Sequence, residues 1–345
     1  MKYMMLAWLF ILHHLPVASQ VDYTKTYYPV IHQADLKIVD GDYTKALSFY
    51  QKGFKESQGG FSVDFLNAAV CAVKTGNDKI AFKYLDSLIG KGVRKDFLET
   101  FVGLGPLRKN KRWGKYISQY DEKLKTLVGK RNDYVNRQIT VMEDRDQEFR
   151  QKEGSYDVYG DTIEKIDKEN VDIYIALIKK YGFPNENMLG VSRPASNIPG
   201  NIVLHHHCQA MSIKRETVKY DFTNDFINAV RKGQLEPHQM AFLIALQGKD
   251  ALQLGGLGLT QLESNGTTSK LLRDKLQAGE EEKMNVKRFA LGLELLDQYY
   301  IKSVYKLKNE AAKDFIFDKY GHLNIFSGLD ESTYKALIQS FEPID

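Results

Sequence analysis

The sequence predicts a mainly α-helical protein, in which a short array of helical hairpins over residues 20–128 precedes a second, mostly helical domain over residues 129–345. Two observations predict this fold class. Part of the first region repeats after 35 residues, and the second region carries apolar residues at helical spacing. A chain of 345 residues is long enough for two domains of roughly 100 to 200 residues each.

The repeated segment indicates stacked helix pairs. The residues that follow Gly41 are similar to those that follow Gly76, which lies 35 positions later. Both glycines stand beside Asp or Asn, and such residues suit the point where a chain leaves one helix and turns into the next. A period of this length is typical of helix pairs that cover one another's apolar faces. The other positions that recur at this offset are Ala34 with Ala69, Ala46 with Ala81, and Tyr50 with Leu85.

This pattern resembles the tetratricopeptide repeat family, whose small and aromatic positions match those alanines and Tyr50. A weaker third copy, in which Trp113 falls opposite Tyr43, would end the array. Tetratricopeptide arrays hold peptides or partner proteins in a concave groove, so the resemblance implies a groove lined by the first helix of each pair. The alternative is that so short an array is a platform for the next domain. The candidate groove residues are Asp35, Ile38, Val70 and Lys74.

Residues 1–19 have the three parts of a secretory signal peptide. Lys2 precedes an apolar stretch over residues 4–15, and small residues follow up to Ser19, before the expected cleavage point. The apolar stretch is shorter than the roughly 20 residues that a membrane-spanning helix needs. We therefore predict an exported protein, periplasmic or secreted, that does not span the membrane.

Charge and cysteine content exclude other classes of protein. The formal net charge of +4 is too small, for a chain of this length, to indicate an electrostatic binder of nucleic acid. The two cysteines, Cys71 and Cys208, lie far apart in the sequence, which excludes a disulfide framework. Cys71 stands in an apolar run and is expected to be a small core residue. No cofactor is predicted.

The second domain begins with a strongly charged helix, predicted over residues 134–153. Asp146 and Arg150 lie four residues apart and hence on one face of that helix, with Gln147 beside them. This spacing is typical of an ion pair on a helix. Further helices are predicted over residues 170–181 and 280–320.

Motifs across the second domain occur in an informative order. They are Asp146-Gln147-x-x-Arg150, the segment 180–184, a histidine after an apolar run, and Asn285-x-x-Arg288-x-x-x-Gly292-Leu293. In this order they resemble a bacterial domain-of-unknown-function family, number 6624, that is common in exported proteins. The family has no established activity, so the resemblance implies none. His207 is the nearest match to the family's histidine, and Gln147 and Gln261 match its glutamines and are candidate binding residues.

The run His205-His206-His207 leaves two kinds of chemistry open. On a strand, His205 and His207 would share one face and could bind zinc with further ligands, although no paired ligand spacing typical of zinc sites occurs. Alternatively, His207 would be a general base that Asp146 orients, and Arg150 would hold an anionic group. No nucleophile motif accompanies them.

Together, these patterns favour an exported binding or scaffold protein whose partner is a peptide, a protein or a component of the cell envelope. The alternative is a small hydrolase-like or metal-dependent enzyme that uses Asp146, Arg150 and His207. Convergence of these three side chains in a polar cleft would favour chemistry, and their separation would favour a scaffold.

Overall fold

A computed structural model describes residues 21–129, 131–195, 200–212, 220–248, 254 and 258–344. The predicted signal peptide, residues 1–19, lies outside these residues. The described part of the chain is mainly helical, as the sequence predicts. None of the described helices combines the length and the apolar character that are needed to cross a membrane.

Two consecutive helical hairpins form the N-terminal region. Gly41 and Gly76 both have a positive φ, of 73° and 71°, in the two turns within the hairpins, a conformation that glycine adopts without strain. The next residues, Asp42 and Asn77, cap the following helices by accepting a backbone N–H hydrogen bond. The helices are α1 (Tyr23–Thr26), α2 (Tyr28–Val39), α3 (Tyr43–Ser57), α4 (Ser62–Lys74) and α5 (Asp78–Lys91).

The four alanines that recur with the period are fully buried, so the hairpin helices approach one another closely at these positions. After α5 the chain breaks into short helices. Trp113 and Tyr120 are buried there, and the Tyr120 hydroxyl donates a hydrogen bond of 2.8 Å to the Val93 carbonyl. The short helices end the array, with α9 packed on α5. They are α6 (Lys95–Thr100), α7 (Gly105–Arg108), α8 (Trp113–Ser118) and α9 (Tyr120–Leu127), with a 3-10 helix at Val102–Leu104.

The charged helix predicted over residues 134–153 is α10, and it packs against α11. The second helix is much longer than the predicted 170–181, because it begins at Ser155 and passes through non-helical geometry at Tyr159. The three histidines lie on a helix and not on a strand. The helices of this part are α10 (Asp133–Arg150), α11 (Ser155–Tyr181), α12 (Glu186–Leu189), α13 (Asn201–Ser212), α14 (Thr223–Arg231) and α15 (Pro237–Leu246).

A small sheet and further helices complete the fold. Strand β1 pairs in parallel with β4, and antiparallel with β2 and β3, while β3 pairs antiparallel with β5. The sequence analysis did not predict this sheet. The elements are β1 (Leu259–Ser264), β2 (Thr267–Thr268), β3 (Leu272–Asp274), α16 (Glu280–Ala290), α17 (Leu296–Lys308), a 3-10 helix at Glu310–Asp314, β4 (Leu323–Phe326), α18 (Glu331–Ile338) and β5 (Phe341–Pro343).

One hydrophobic core runs from the hairpin array into the second half of the chain. Tyr28 of α2 belongs to it, and its hydroxyl donates hydrogen bonds to the carbonyls of Val230 and Leu235, at 3.1 and 2.9 Å. Helix α17 also packs against α2. The array and the second half are therefore joined by buried side chains.

Candidate functional site

The residues predicted to line an open groove are covered by the chain itself. Asp35, Ile38 and Val70 are fully buried, and the Lys74 ammonium forms an ion pair of 2.6 Å with Asp314. The prediction that these four residues form an open binding groove is therefore wrong. Helix α17 packs against α2, and residues that follow α17 pair with Lys74 and Asp35.

The segment that covers the array, residues 314–320, is called the docked segment below. Its main chain is held by Asn67 of α4. The Asn67 carboxamide donates to the Ile316 carbonyl at 3.0 Å and accepts from the Ile316 N–H at 2.9 Å. One side chain thus satisfies both main-chain polar groups of one residue, a contact that does not depend on the side chain of Ile316.

Side chains of the docked segment add specific contacts. The Phe315 ring stacks on Tyr43 with the ring centroids 5.8 Å apart, and Phe317 is fully buried. At Gly103 a Cβ atom would lie 2.1 Å from the Asp314 carbonyl oxygen, so the backbones approach too closely for any other residue. The segment therefore contacts this region through both its backbone and its side chains.

Asp35 anchors the end of the docked segment. Its carboxylate accepts hydrogen bonds from the hydroxyls of Tyr50 at 2.6 Å and Tyr320 at 3.0 Å, and pairs with the Lys319 ammonium at 3.3 Å. Burial opposes the charge on Lys319, but the carboxylates of Asp35, Asp64 and Glu236 outweigh it and raise the pKa of Lys319. Asp35 thus acts as a structural ion-pair partner.

A buried carboxylate, Glu294, lies between the array and the second half. Four basic side chains surround it, and we call this group the Glu294 cluster. The distances to the carboxylate are 2.9 Å from His238, 3.6 Å from Lys302, 3.7 Å from His32 and 3.9 Å from Arg288. Burial opposes ionisation of Glu294, and the surrounding positive charges outweigh it and hold its pKa well below the usual range.

Both histidines of the cluster donate hydrogen bonds through Nε2. The His32 Nε2–H donates to the Gly292 carbonyl at 2.8 Å, and the His238 Nε2–H donates to Glu294. The Nδ1 atoms of both rings are buried and find no hydrogen-bond partner among the described residues. Burial lowers the pKa of His238, and lowers the pKa of His32 to about 3.

Asp146 and Arg150 meet as predicted, but the histidine beside them is His206. The His206 Nδ1–H donates to the two Asp146 oxygens, at 3.0 and 2.8 Å. The Gln147 amide donates to the same carboxylate at 2.7 Å. No sequence motif indicates His206. Its contact with Asp146 depends on which face of α13 packs against α10. We call Asp146, Gln147, Arg150, His206 and Asp167 the Asp146 centre.

Arg150 is committed to protein partners. Its guanidinium pairs with Asp146 at 3.0 Å and with both oxygens of Asp167 at 2.7 and 2.8 Å, and donates to the Tyr156 hydroxyl at 3.0 Å. Burial raises the pKa of Asp167, and Arg150 acts against that rise. The role of Arg150 in holding an anionic group stays a prediction, and in this arrangement a substrate anion would have to displace Asp167.

His207 is not part of the Asp146 centre. Its Nε2–H donates to the Tyr220 carbonyl at 2.7 Å, and its ring packs against Phe222 with the centroids 5.1 Å apart. Burial lowers its pKa. The prediction that His207 is a general base oriented by Asp146 is wrong, because adjacent residues of a helix point about 100° apart and only His206 faces α10.

The zinc alternative also fails on geometry. His205 and His207 lie two positions apart on α13, so their side chains point about 200° apart around the helix axis. The His205 ring lies against Phe242, at 5.9 Å between ring centroids. Within the described ranges, no group of three or more His, Cys, Asp or Glu side chains could hold a metal ion.

The Asp146 centre leaves one imidazole nitrogen available. The His206 Nδ1–H is held by Asp146, and Nε2 forms no hydrogen bond with a described residue. The nearby Cys208 is fully buried, and burial raises the pKa of its thiol to about 12. Gln261 lies on β1, where its amide donates to the Ser269 carbonyl at 3.4 Å, and no described contact joins it to this centre.

A surface site lies on α16. A cavity of about 560 Å³ opens there, beside Val286 and Phe289, whose side chains are 67% and 57% exposed. We call the six residues that line this cavity the α16 face: Glu281, Glu282, Asn285, Val286, Phe289 and Leu295. The sequence analysis singled out only Asn285 and nearby Arg288. Two large apolar residues three positions apart in a strongly charged helix, Val286 and Phe289, were the sequence signal that could have indicated the rest.

Comparisons with protein families, curated proteins and solved structures find no match to this chain. The resemblances to tetratricopeptide repeats and to the domain-of-unknown-function family therefore stay predictions.

Proposed function

We propose that this chain is an exported binding or scaffold protein whose hairpin array holds peptide segments, and that its own docked segment is the occupant in the free protein. The observation that carries this proposal is the paired hydrogen bonding of Asn67 to the N–H and the carbonyl of Ile316. Such main-chain pairing accepts many sequences, so it suits a binding surface.

Selectivity would come from the side chains around that pair. Lys74 meets an acidic residue, Tyr43 meets an aromatic ring, and Asp35 meets a lysine and a tyrosine hydroxyl. A partner segment that competes for the array would carry the same order of groups: acidic, aromatic, aliphatic, aromatic, then basic.

The docked segment belongs to the same chain, so it competes at a high effective concentration, on the order of millimolar for a short tether. An external peptide therefore binds only when the docked segment is loosened. The test uses the full chain without residues 1–19 and a fluorescein-labelled peptide with the sequence of residues 309–322. Fluorescence anisotropy measures binding to the wild type and to the variant Phe315→Ala.

We expect at least tenfold tighter binding by Phe315→Ala than by the wild type, and loss of that gain when Asn67→Ala is added. Circular dichroism checks that each variant is folded. Hydrogen exchange gives a second measurement, because the Ile316 amide should exchange faster in Asn67→Ala than in the wild type. The proposal is refuted if the folded wild type and Phe315→Ala bind the peptide equally, or if the folded Phe315→Ala protein binds it equally with and without Asn67→Ala.

A hydrolase-like function is the second candidate, favoured by the contact between Asp146 and the His206 Nδ1–H. This contact leaves Nε2 as a base that could remove a proton from water, so that hydroxide attacks an ester carbonyl. The ion pairs of Arg150 and the burial of Cys208 weaken this candidate, since in the described part of the chain they leave neither of these side chains free to bind an anion or to act as a nucleophile beside the base.

The hydrolase candidate is tested with p-nitrophenyl acetate. General-base catalysis contributes typically 10²–10⁴-fold, so His206→Gln and Asp146→Asn should each lose at least about a hundredfold in rate if it is correct. His205→Gln is the matched control, because His205 is the next histidine on the same helix and does not touch Asp146. Equal rates in all three variants and the wild type exclude catalysis at this centre.

A further inference from the structure

The α16 face combines exposed apolar side chains with two carboxylates. Glu281, Asn285 and Phe289 are spaced by four residues, so they form one row along the helix, and Glu282 with Val286 forms the next row. The apolar part of the face therefore lies next to acidic groups on the same side of α16.

The exposure of this face follows from how α16 is anchored. The buried Arg288 holds the helix from its inner side, by donating to the carbonyls of Glu294 at 2.7 Å and Leu254 at 2.8 Å. With Arg288 inside, Phe289 and Val286 point outward. Apolar side chains grouped beside a cavity commonly mark a binding surface, whereas single exposed ones do not.

Charge on the face selects the kind of partner. Among the residues that the structure describes, Glu281 forms one long ion pair, of 3.9 Å, with Arg273, and Glu282 forms none. The two lysines of this helix, Lys283 and Lys287, are four residues apart and form the next row, one position beyond Glu282 and Val286. The face is therefore acidic beside an apolar centre, and a ligand with positive charge would complement it.

We propose that the α16 face is a docking site for a segment of a partner protein that presents a large aliphatic or aromatic side chain flanked by Lys or Arg. The anchor side chain lies against Val286 and Phe289, and the flanking cations meet Glu281 and Glu282. A cavity of about 560 Å³ is large enough for such an anchor. This surface is separate from the array, so the proposal stands whether or not the array takes an external peptide.

Two other occupants fit the charge less well. An anionic lipid surface would be repelled by the two carboxylates. A second copy of this chain, docked through the same face around a twofold axis, would bring Glu281 and Glu282 of both copies together. A basic protein segment meets neither obstacle.

The test uses the full chain without residues 1–19 and two labelled nonapeptides. One has the sequence Gly-Lys-Lys-Leu-Gly-Phe-Lys-Lys-Gly, and the other has glutamate in place of every lysine. Fluorescence anisotropy at low salt should give at least tenfold tighter binding of the lysine peptide. Phe289→Ser should weaken that binding at least tenfold, and Glu281→Gln with Glu282→Gln should remove most of the preference for lysine.

Val158→Ser is the control for Phe289→Ser, because Val158 is also an exposed apolar residue but lies on α11. It should leave binding unchanged. Equal binding of the two peptides, or equal loss in Phe289→Ser and Val158→Ser, overturns the proposal. A dimer seen in analytical sedimentation and abolished by Phe289→Ser also overturns the proposal, since a second copy would then be the occupant. Co-sedimentation with anionic phosphatidylglycerol vesicles that depends on Phe289 overturns it as well.

Discussion

Replacement of Glu294 by glutamine tests whether the buried charges between the array and the second half hold the molecule together. The change keeps the size of the side chain and an oxygen that can accept from His238. It removes the negative charge that faces Lys302 and Arg288, both of which are buried. Burial lowers the pKa of both cations, and the Glu294 carboxylate acts against that lowering, so it favours their charged forms.

The magnitude follows from what is left behind. Loss of one partner from a buried ion pair typically costs about 3–5 kcal/mol, because a buried charge stays without compensation. After Glu294→Gln, the Lys302 ammonium retains the Tyr320 hydroxyl at 3.1 Å, which satisfies only one of its donors. We therefore expect the free energy of unfolding to fall by about 3 kcal/mol, a large part of the 5–15 kcal/mol that is typical of a folded protein.

The assay is urea unfolding of the chain without residues 1–19, followed by circular dichroism at 222 nm and by tryptophan fluorescence. Trp8 is absent from that protein, so the fluorescence comes from the buried Trp113 of the array. Because one core joins the two halves, both signals should shift together in Glu294→Gln. Glu310→Gln is the control, since the Glu310–Lys313 ion pair is exposed and should not change the midpoint.

Two results would refute this reasoning. A free energy of unfolding within about 1 kcal/mol of the wild type would mean that the Glu294 charge is not needed by its neighbours. A circular dichroism midpoint that shifts while the Trp113 midpoint does not would mean that the array unfolds on its own.

Three further predictions concern other sites. Because the folded-state pKa of His32, about 3, lies below the unfolded value of about 6.5, stability present above pH 6.5 is lost as the pH falls towards 3. Urea unfolding between pH 4 and 6 should thus be less pH-dependent in His32→Asn, by up to about 1.4 kcal/mol per pH unit. Gly103→Ala should lower stability by about 2 kcal/mol in thermal melts, because its Cβ would meet a backbone oxygen, whereas Gly114→Ala, with no atom within 4 Å, should not. Ellman's reagent should find no reactive thiol in the native protein and two in guanidinium, since Cys71 and Cys208 are buried; a rapid native reaction would contradict their burial.

The hairpins of the array were predictable from short-range signals. Gly41 and Gly76 adopt the positive φ that a turn needs, and Asp42 and Asn77 cap the next helices. Each of these effects involves residues within a few positions of one another. The same holds for α10, whose charged pair Asp146 and Arg150 lies on one face because of helical spacing alone.

The sheet, the contact of His206 and the docked segment could not be predicted from such short-range signals. The strands of the sheet are short, and β1 pairs with β4, whose partner residue Leu323 is far along the chain from Leu259. The choice between His206 and His207 depends on the rotation of α13 about its axis, which its neighbours set by packing. The array's apolar face could be recognised from the alanine pattern, but its occupant could not.

The amino-acid sequence was thus sufficient for the helical character of the chain, the two hairpins, and the pairing of Asp146 with Arg150, because each depends on contacts within one or two helical turns. Tertiary packing determined three further features. Residues 314–320 dock on the array, four basic side chains surround Glu294, and Phe289 stays exposed. These outcomes join residues up to hundreds of positions apart, and such contacts form only where burial of apolar surface and compensation of buried charge can be satisfied together.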